Sequence, residues 1–112
     1  MNRLLEADRA AAELAVAVVA YACGVEVELI GGGSRGAAPV AFARQLSMYL
    51  THVAFEISLS RVAIAFGRDR STVGHACHLI EDRRDDPEFD DWICKLEGML
   101  REAPARVARI AA

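Results

Sequence analysis

The eighteen residues Leu59-Ser60-Arg61-Val62-Ala63-Ile64-Ala65-Phe66-Gly67-Arg68-Asp69-Arg70-Ser71-Thr72-Val73-Gly74-His75-Ala76 constrain this chain more than any other stretch. Ala63 is small where a second helix has to cross a first one closely. Gly67 accepts the left-handed backbone needed to leave the first helix abruptly. Val73 follows Ala63 by ten residues, with Gly67 between them at the turn. Val62, Phe66, Val73 and Ala76 then fall where apolar groups fill the angle between two helices. These requirements together describe a helix-turn-helix.

The second helix of that pair divides by face. Val73, Ala76, Cys77 and Ile80 make an inward stripe, while Arg70, Ser71, Gly74, His75 and His78 fall on the other side. Asp69 precedes the helix as an expected N-cap, a role worth about 0.5–2 kcal/mol. Arg70 at the helix tip suits a bidentate contact to guanine in a DNA major groove. Ser71 and Thr72, with the amides of the first turn, suit phosphate oxygens. Gly74 costs about 1 kcal/mol relative to alanine inside a helix, and a bare backbone there permits close approach to DNA.

The remaining segments read as further helices around this pair, giving an all-α fold. Asn2 is placed to cap a helix running to about Cys23, with Leu14, Val18 and Tyr21 on one face and Gly24 as the stop. Val25 to Ile30 alternates apolar and acidic residues in the manner of a strand. A lone strand has no partner here, so a single helical turn is expected instead. Residues 31–36 form a glycine-rich loop whose one charge is Arg35. Pro39 suits a first helical turn, followed by the stripe Phe42, Leu46, Leu50, Val53 and Ile57. Leu59 to Phe66 and Arg70 to about Arg83 are the two helices of the motif. Phe89, Trp92, Ile93, Leu96 and Leu100 stripe a last helix that Pro104 is expected to end or kink. Residues 1–104 thus form one domain, with residues 105–112 as a flexible tail.

Charge and chemistry narrow the function. The net charge is −3, but residues 35–80 carry five arginines against Glu56 and Asp69, while residues 81–91 carry seven acids against Arg83 and Arg84. Phosphate attraction is screened within about 8 Å at physiological salt, so the local basic stretch matters more than the sum. His52 and His78 read as surface residues. Three cysteines without a C-x-x-C pair fit free thiols in a reducing compartment. Leu14 to Val25 is too short to span a bilayer, and Glu6 and Asp8 interrupt any secretory signal, so a cytoplasmic, nucleoid-associated protein is expected. No metal spacing, cofactor motif or nucleophile–base pair can be assembled, so neither an enzyme nor a metal or cofactor binder is expected.

Two motifs carry a more specific resemblance. Ala43-Arg44-Gln45-Leu46-Ser47-Met48-Tyr49-Leu50, followed by Gly67-Arg68-Asp69-Arg70-Ser71-Thr72-Val73-Gly74-His75-Ala76-Cys77, resembles the C-terminal DNA-binding domain of the bacterial replication initiator DnaA. That family reads R-Q-x-A-M-x-L and then F-G-x-R-D-H-[ST]-T-V-x-H-A, and the resemblance covers roughly residues 10–100. It implies that Arg44 and Gln45 grip phosphate and that Asp69, Arg70 and Ser71 read bases. With Arg68, Thr72 and His75 beside them, and Arg35 in a loop that enters the minor groove, these residues form the implied DNA surface. Arg70 stands where the family has histidine, one residue is missing between Phe66 and Arg68, and the basic loop has become glycine-rich. These departures preserve DNA binding but point away from the usual initiator box. No G-x-x-x-x-G-K-[ST] occurs and Lys95 is the only lysine, so nucleotide-driven origin opening is not expected.

The expected function is sequence-specific binding of double-stranded DNA, most naturally in transcription regulation, including activation of a phage-like gene set. A replication modulator competing for initiator boxes is an alternative. A third reading is a protein–protein adaptor using the acidic residues 81–91 or the C-terminal tail toward transcription or replication machinery.

Overall fold

A computed structural model describes residues 3–32 and 36–111, with side chains through residue 103. Six helices follow one another: α1 (Arg3–Cys23), α2 (Val27–Gly31), α3 (Ala38–Ala54), α4 (Leu59–Phe66), α5 (Arg70–Arg83) and α6 (Pro87–Ala111). The described residues contain no strand, and the stretch that alternates like a strand is the short helix α2. Asn2 and Arg35 lie outside the described residues.

Helix α3 is the axle of the fold and packs against all five other helices. From Ala43 to Thr51 only Gln45 is not buried; of the stripe read from the sequence Leu46 and Leu50 are fully buried, Phe42 and Val53 are half-buried, and Ile57 is buried beyond the end of the helix. Two polar side chains survive there because each bonds to its own helix. Ser47 Oγ donates to the Ala43 carbonyl at 2.8 Å and Thr51 Oγ1 to that of Ser47 at 2.7 Å. Buried hydroxyls satisfied in this way avoid the desolvation penalty of an unpaired polar group.

Apolar side chains form two clusters that meet along α3. The larger joins Ala15 and Val19 of α1, Ile30 of α2, Leu46 and Leu50 of α3, Ile80 of α5 and Ile93 and Leu100 of α6. The smaller holds the motif together through Met48, Ile57, Val62, Ala63, Val73 and Ala76. Phe55 and Cys77 pack against both, so α4 and α5 cannot move as a pair without disturbing the main core.

The register of α1 differs from the sequence reading. Its buried face is Asp8, Ala12, Ala15, Val19 and Ala20, while Tyr21 is 91% exposed. Small alanines let α1 lie close to α3, Leu14 and Val18 pack half-buried against the main cluster, and only Tyr21 of the expected face is left exposed. Asp8 survives in the buried face because Arg61 of α4 meets it with two nitrogens, at 2.9 and 2.6 Å. This fork ties the first helix to the helix-turn-helix.

At the other end, Arg84 gathers α3, α5 and α6. Its guanidinium donates to Asp90, to Glu97 and to the Tyr49 hydroxyl, which itself donates to Glu81. Burial opposes the charge on Arg84, but these bonds outweigh it and its pKa is raised. Burial, with the Glu81 bond, pushes the Tyr49 hydroxyl up to about 12. Phe42 and Trp92 stack nearby, and Arg83 lies 4.2 Å from the Phe89 ring centre.

Helix α6 continues through Pro104 to Ala111, where an end or a kink at Pro104 and a tail over residues 105–112 were expected. The alanines and arginines flanking Pro104 are strong helix formers, and only one backbone donor is lost at the proline. The side chains of residues 104–112 lie outside those described.

All three cysteines are free. Burial and the neighbouring Glu81 push the Cys77 thiol up to about 11, and burial also raises Cys23, while Cys94 is exposed. Thiolate is the reactive form, so neutral-pH alkylation should modify Cys94 first and Cys77 slowly until the protein unfolds. Peptide mass mapping of a brief iodoacetamide treatment checks this order; an early adduct on Cys77 contradicts it.

Candidate nucleic-acid interface

The motif is built by local signals acting in sequence. Ser58 caps α4, its hydroxyl oxygen accepting from the Arg61 amide at 3.3 Å. Helix α4 stops at Gly67, whose φ of 64° is left-handed. The amide of Gly67 donates to the Ile64 carbonyl and that of Arg68 to the Ala63 carbonyl, closing the helix end in a Schellman-type arrangement. Asp69 is extended, at φ −71° and ψ 147°, and starts α5. Val62, Ala63, Val73 and Ala76 are buried in the joint and Phe66 is half-buried, as the spacing of the sequence required.

Asp69 departs from its expected role. It occupies the N-cap position, but its side chain makes no cap hydrogen bond. An exposed carboxylate in this extended conformation faces solvent instead of the amides of the next turn. Arg70, Ser71 and Thr72, the first three residues of α5, are exposed, and so is His75 one turn further on.

Across from them, the amino-terminal half of α3 supplies Arg44 and Gln45. These two face Arg68, Thr72 and His75 over a cleft of about 570 Å³. The cleft brings together five of the nine residues that sequence reasoning placed on one surface. Asp69, Arg70 and Ser71 adjoin Thr72 in the chain. Arg35 is the ninth.

Arg44 is not displayed as the resemblance implied. It is 8% exposed, its Nε donating to the Ile30 carbonyl at 2.8 Å and its Nη2 to the Leu29 carbonyl at 2.9 Å. Burial, and next the charge of Arg68, lower its pKa. Arg68 is half-buried and donates to the Gly32 carbonyl. Two arginines thus hold the end of α2 against the motif, a role with no sequence signature because its acceptors are backbone carbonyls. The Asp8–Arg61 fork was missed for a related reason: its partners lie 53 residues apart.

Of the two histidines expected at the surface, His78 is there and His52 is not. His78 is exposed and lies 3.5 Å from Asp82. His52 is half-buried, with Nδ1 2.5 Å from the Ile57 carbonyl, so it closes the turn after α3 instead of lying free on the surface. Among the acids of residues 81–91, Glu81 and Asp90 serve the Arg84 node, and Asp91 pairs with Lys95 at 3.1 Å. Among the described residues no group of three His, Cys, Asp or Glu is placed to hold a metal ion, and no helix is long and apolar enough to cross a membrane.

Two helices locked at a glycine turn, with the second presenting its polar first turn beside a cationic cleft, define a helix-turn-helix protein. Residues 12–80, well over half the chain, match the family model described as the bacterial dnaA protein helix-turn-helix. The chain belongs to that family. It is 33% identical over 108 residues to the chromosomal replication initiator protein DnaA of Rippkaea orientalis, covering 96% of this chain and 22% of that protein. The corresponding protein of Symbiobacterium thermophilum is 41% identical over 64 residues, covering 55% of this chain and 14% of that one. A crystal structure of a DNA replication initiation factor superposes with a TM-score of 0.75 at 30% identity, over 85% of this chain and 29% of that chain. The chain therefore spans about a fifth of the length of the first of these relatives.

Proposed function

We propose that this chain binds double-stranded DNA in a sequence-specific manner, with the first turn of α5 in the major groove. The observation that carries this reading is the joint exposure of Arg70, Ser71 and Thr72 on a helix tip whose inner face is locked by Val73 and Ala76. Arg70 offers a planar fork suited to guanine O6 and N7. The uncapped Asp69 offers an acceptor suited to a cytosine amino group. Gln45, Thr72 and Arg68 of the cleft meet the flanking phosphates. The protein acts by binding, not by catalysis, at the nucleoid in the cytoplasm.

Within that class we read it as a regulator of transcription, including activation of a phage-like gene set. The arginine at position 70 distinguishes it from a plain competitor for initiator boxes. The names of its relatives, which are replication initiators, favour modulation of replication initiation as the second reading. Contact with transcription or replication machinery would use residues 81–91 or the end of α6. Selection from a random duplex library, followed by genome-wide occupancy, tests both readings. An enriched motif beneath promoters supports the regulator, and enrichment at the origin supports the modulator. Failure to enrich any duplex refutes both.

Gly74 provides a further check. A Cβ at this position would meet only the Leu59 side chain, at 4.0 Å, so packing does not require glycine. Gly74→Ala should therefore raise stability by about 1 kcal/mol while weakening DNA binding, because the added methyl thickens a half-buried point of α5 where the bare backbone permits close approach. Thermal melts and duplex titrations on the same preparation read both effects; unchanged affinity contradicts a close backbone approach.

A further inference from the structure

The end of α2 is held by side chains from outside the helix. A five-residue helix satisfies few of its own last carbonyls: that of Leu29 accepts from the Gly32 amide at 3.3 Å, and two arginines from elsewhere supply further donors. Arg44 commits Nε and Nη2 to Ile30 and Leu29, and Arg68 commits one Nη to Gly32. The two cations differ in what a phosphate would demand of them. Recruiting Arg44 would break both arms of a fork that is almost wholly buried and would leave two carbonyls without these donors, Ile30 itself being buried. Recruiting Arg68 exchanges one neutral acceptor for a charged one, at a residue already half open to the cleft.

We propose that Arg44 is a positioning residue, fixing the end of α2 against the helix-turn-helix without touching DNA, and that Arg68 is the phosphate ligand of this corner, exchanging the Gly32 carbonyl for a phosphate oxygen. This rests on the DNA-binding reading given above. Lysine separates the two roles at position 44. A phosphate accepts an ammonium nearly as well as a guanidinium, whereas an ammonium cannot reproduce the planar two-carbonyl fork.

The test measures affinity for a selected duplex across a salt series for wild type, Arg44→Ala, Arg44→Lys and Arg68→Ala. Arg44→Lys should weaken binding as much as Arg44→Ala, both keeping the wild-type salt slope. Arg68→Ala should flatten the slope by about 0.9, the loss of one phosphate contact. Rescue by Arg44→Lys, or a slope flattened by Arg44→Ala and not by Arg68→Ala, overturns the proposal. In case the position-44 variants fold poorly, the wild-type protein supplies an independent readout by nuclear magnetic resonance. On adding duplex, the Arg44 side-chain Nε–H signal should stay in place while that of Arg68 moves; movement of Arg44 alone overturns the proposal. Loss of only the parent reading has a different signature: wild type binds no duplex, or Arg70→Ala binds like wild type.

Discussion

Arg70→Ala should weaken binding to a selected duplex by about 1–3 kcal/mol, a drop of one to two orders of magnitude, and relax the preference at one base position. The expectation follows from placement. Arg70 is the first residue of α5, it is exposed, and the helix carrying it cannot tilt because Val73, Ala76 and Ile80 are buried beneath it. A fork held at a rigid helix tip loses little entropy on contact, whereas a flexible loop arginine must first be ordered. The measurement is affinity for the selected site and for its single-base variants. A uniform loss across all sequences would assign Arg70 to phosphate, and no loss would remove it from the interface.

The second large effect is on stability. Leu50→Ala should cost about 2–5 kcal/mol, because Leu50 is fully buried in the carboxy-terminal half of the helix that every other helix touches. Chemical denaturation gives the value. Leu50 takes no part in the proposed interface, so the folded fraction at low temperature should still bind DNA with wild-type affinity. A cost under about 1 kcal/mol would mean that the core collapses around the missing side chain, and the account of α3 as the central support would fail.

The sequence revealed the motif because its signals are local. A glycine that must be left-handed, a capping position and apolar residues at helical spacing are all visible within eighteen residues. The boundaries of α4 and α5 follow directly from them. Helix α1 was harder because alanine and valine surround much of it, leaving a weak apolar period. The buried face is decided by how closely Ala12 and Ala15 let α1 approach α3, a tertiary matter. Arg44 shows the same limit at the candidate site. Its motif implied phosphate, yet its geometry is set by carbonyls fourteen and fifteen residues earlier, and no residue type announces a backbone acceptor. Asp69 and Pro104 are cases in which a usual habit, capping or helix termination, gave way to local context.

Methylation interference on the selected duplex tests the central claim most directly. Dimethyl sulfate marks guanine N7 in the major groove and adenine N3 in the minor groove. Binding should be blocked by methylation at a guanine N7, and that guanine should be the position where Arg70→Ala loses discrimination. Interference confined to adenine N3, or none at any major-groove guanine, would contradict the placement of α5 in the major groove.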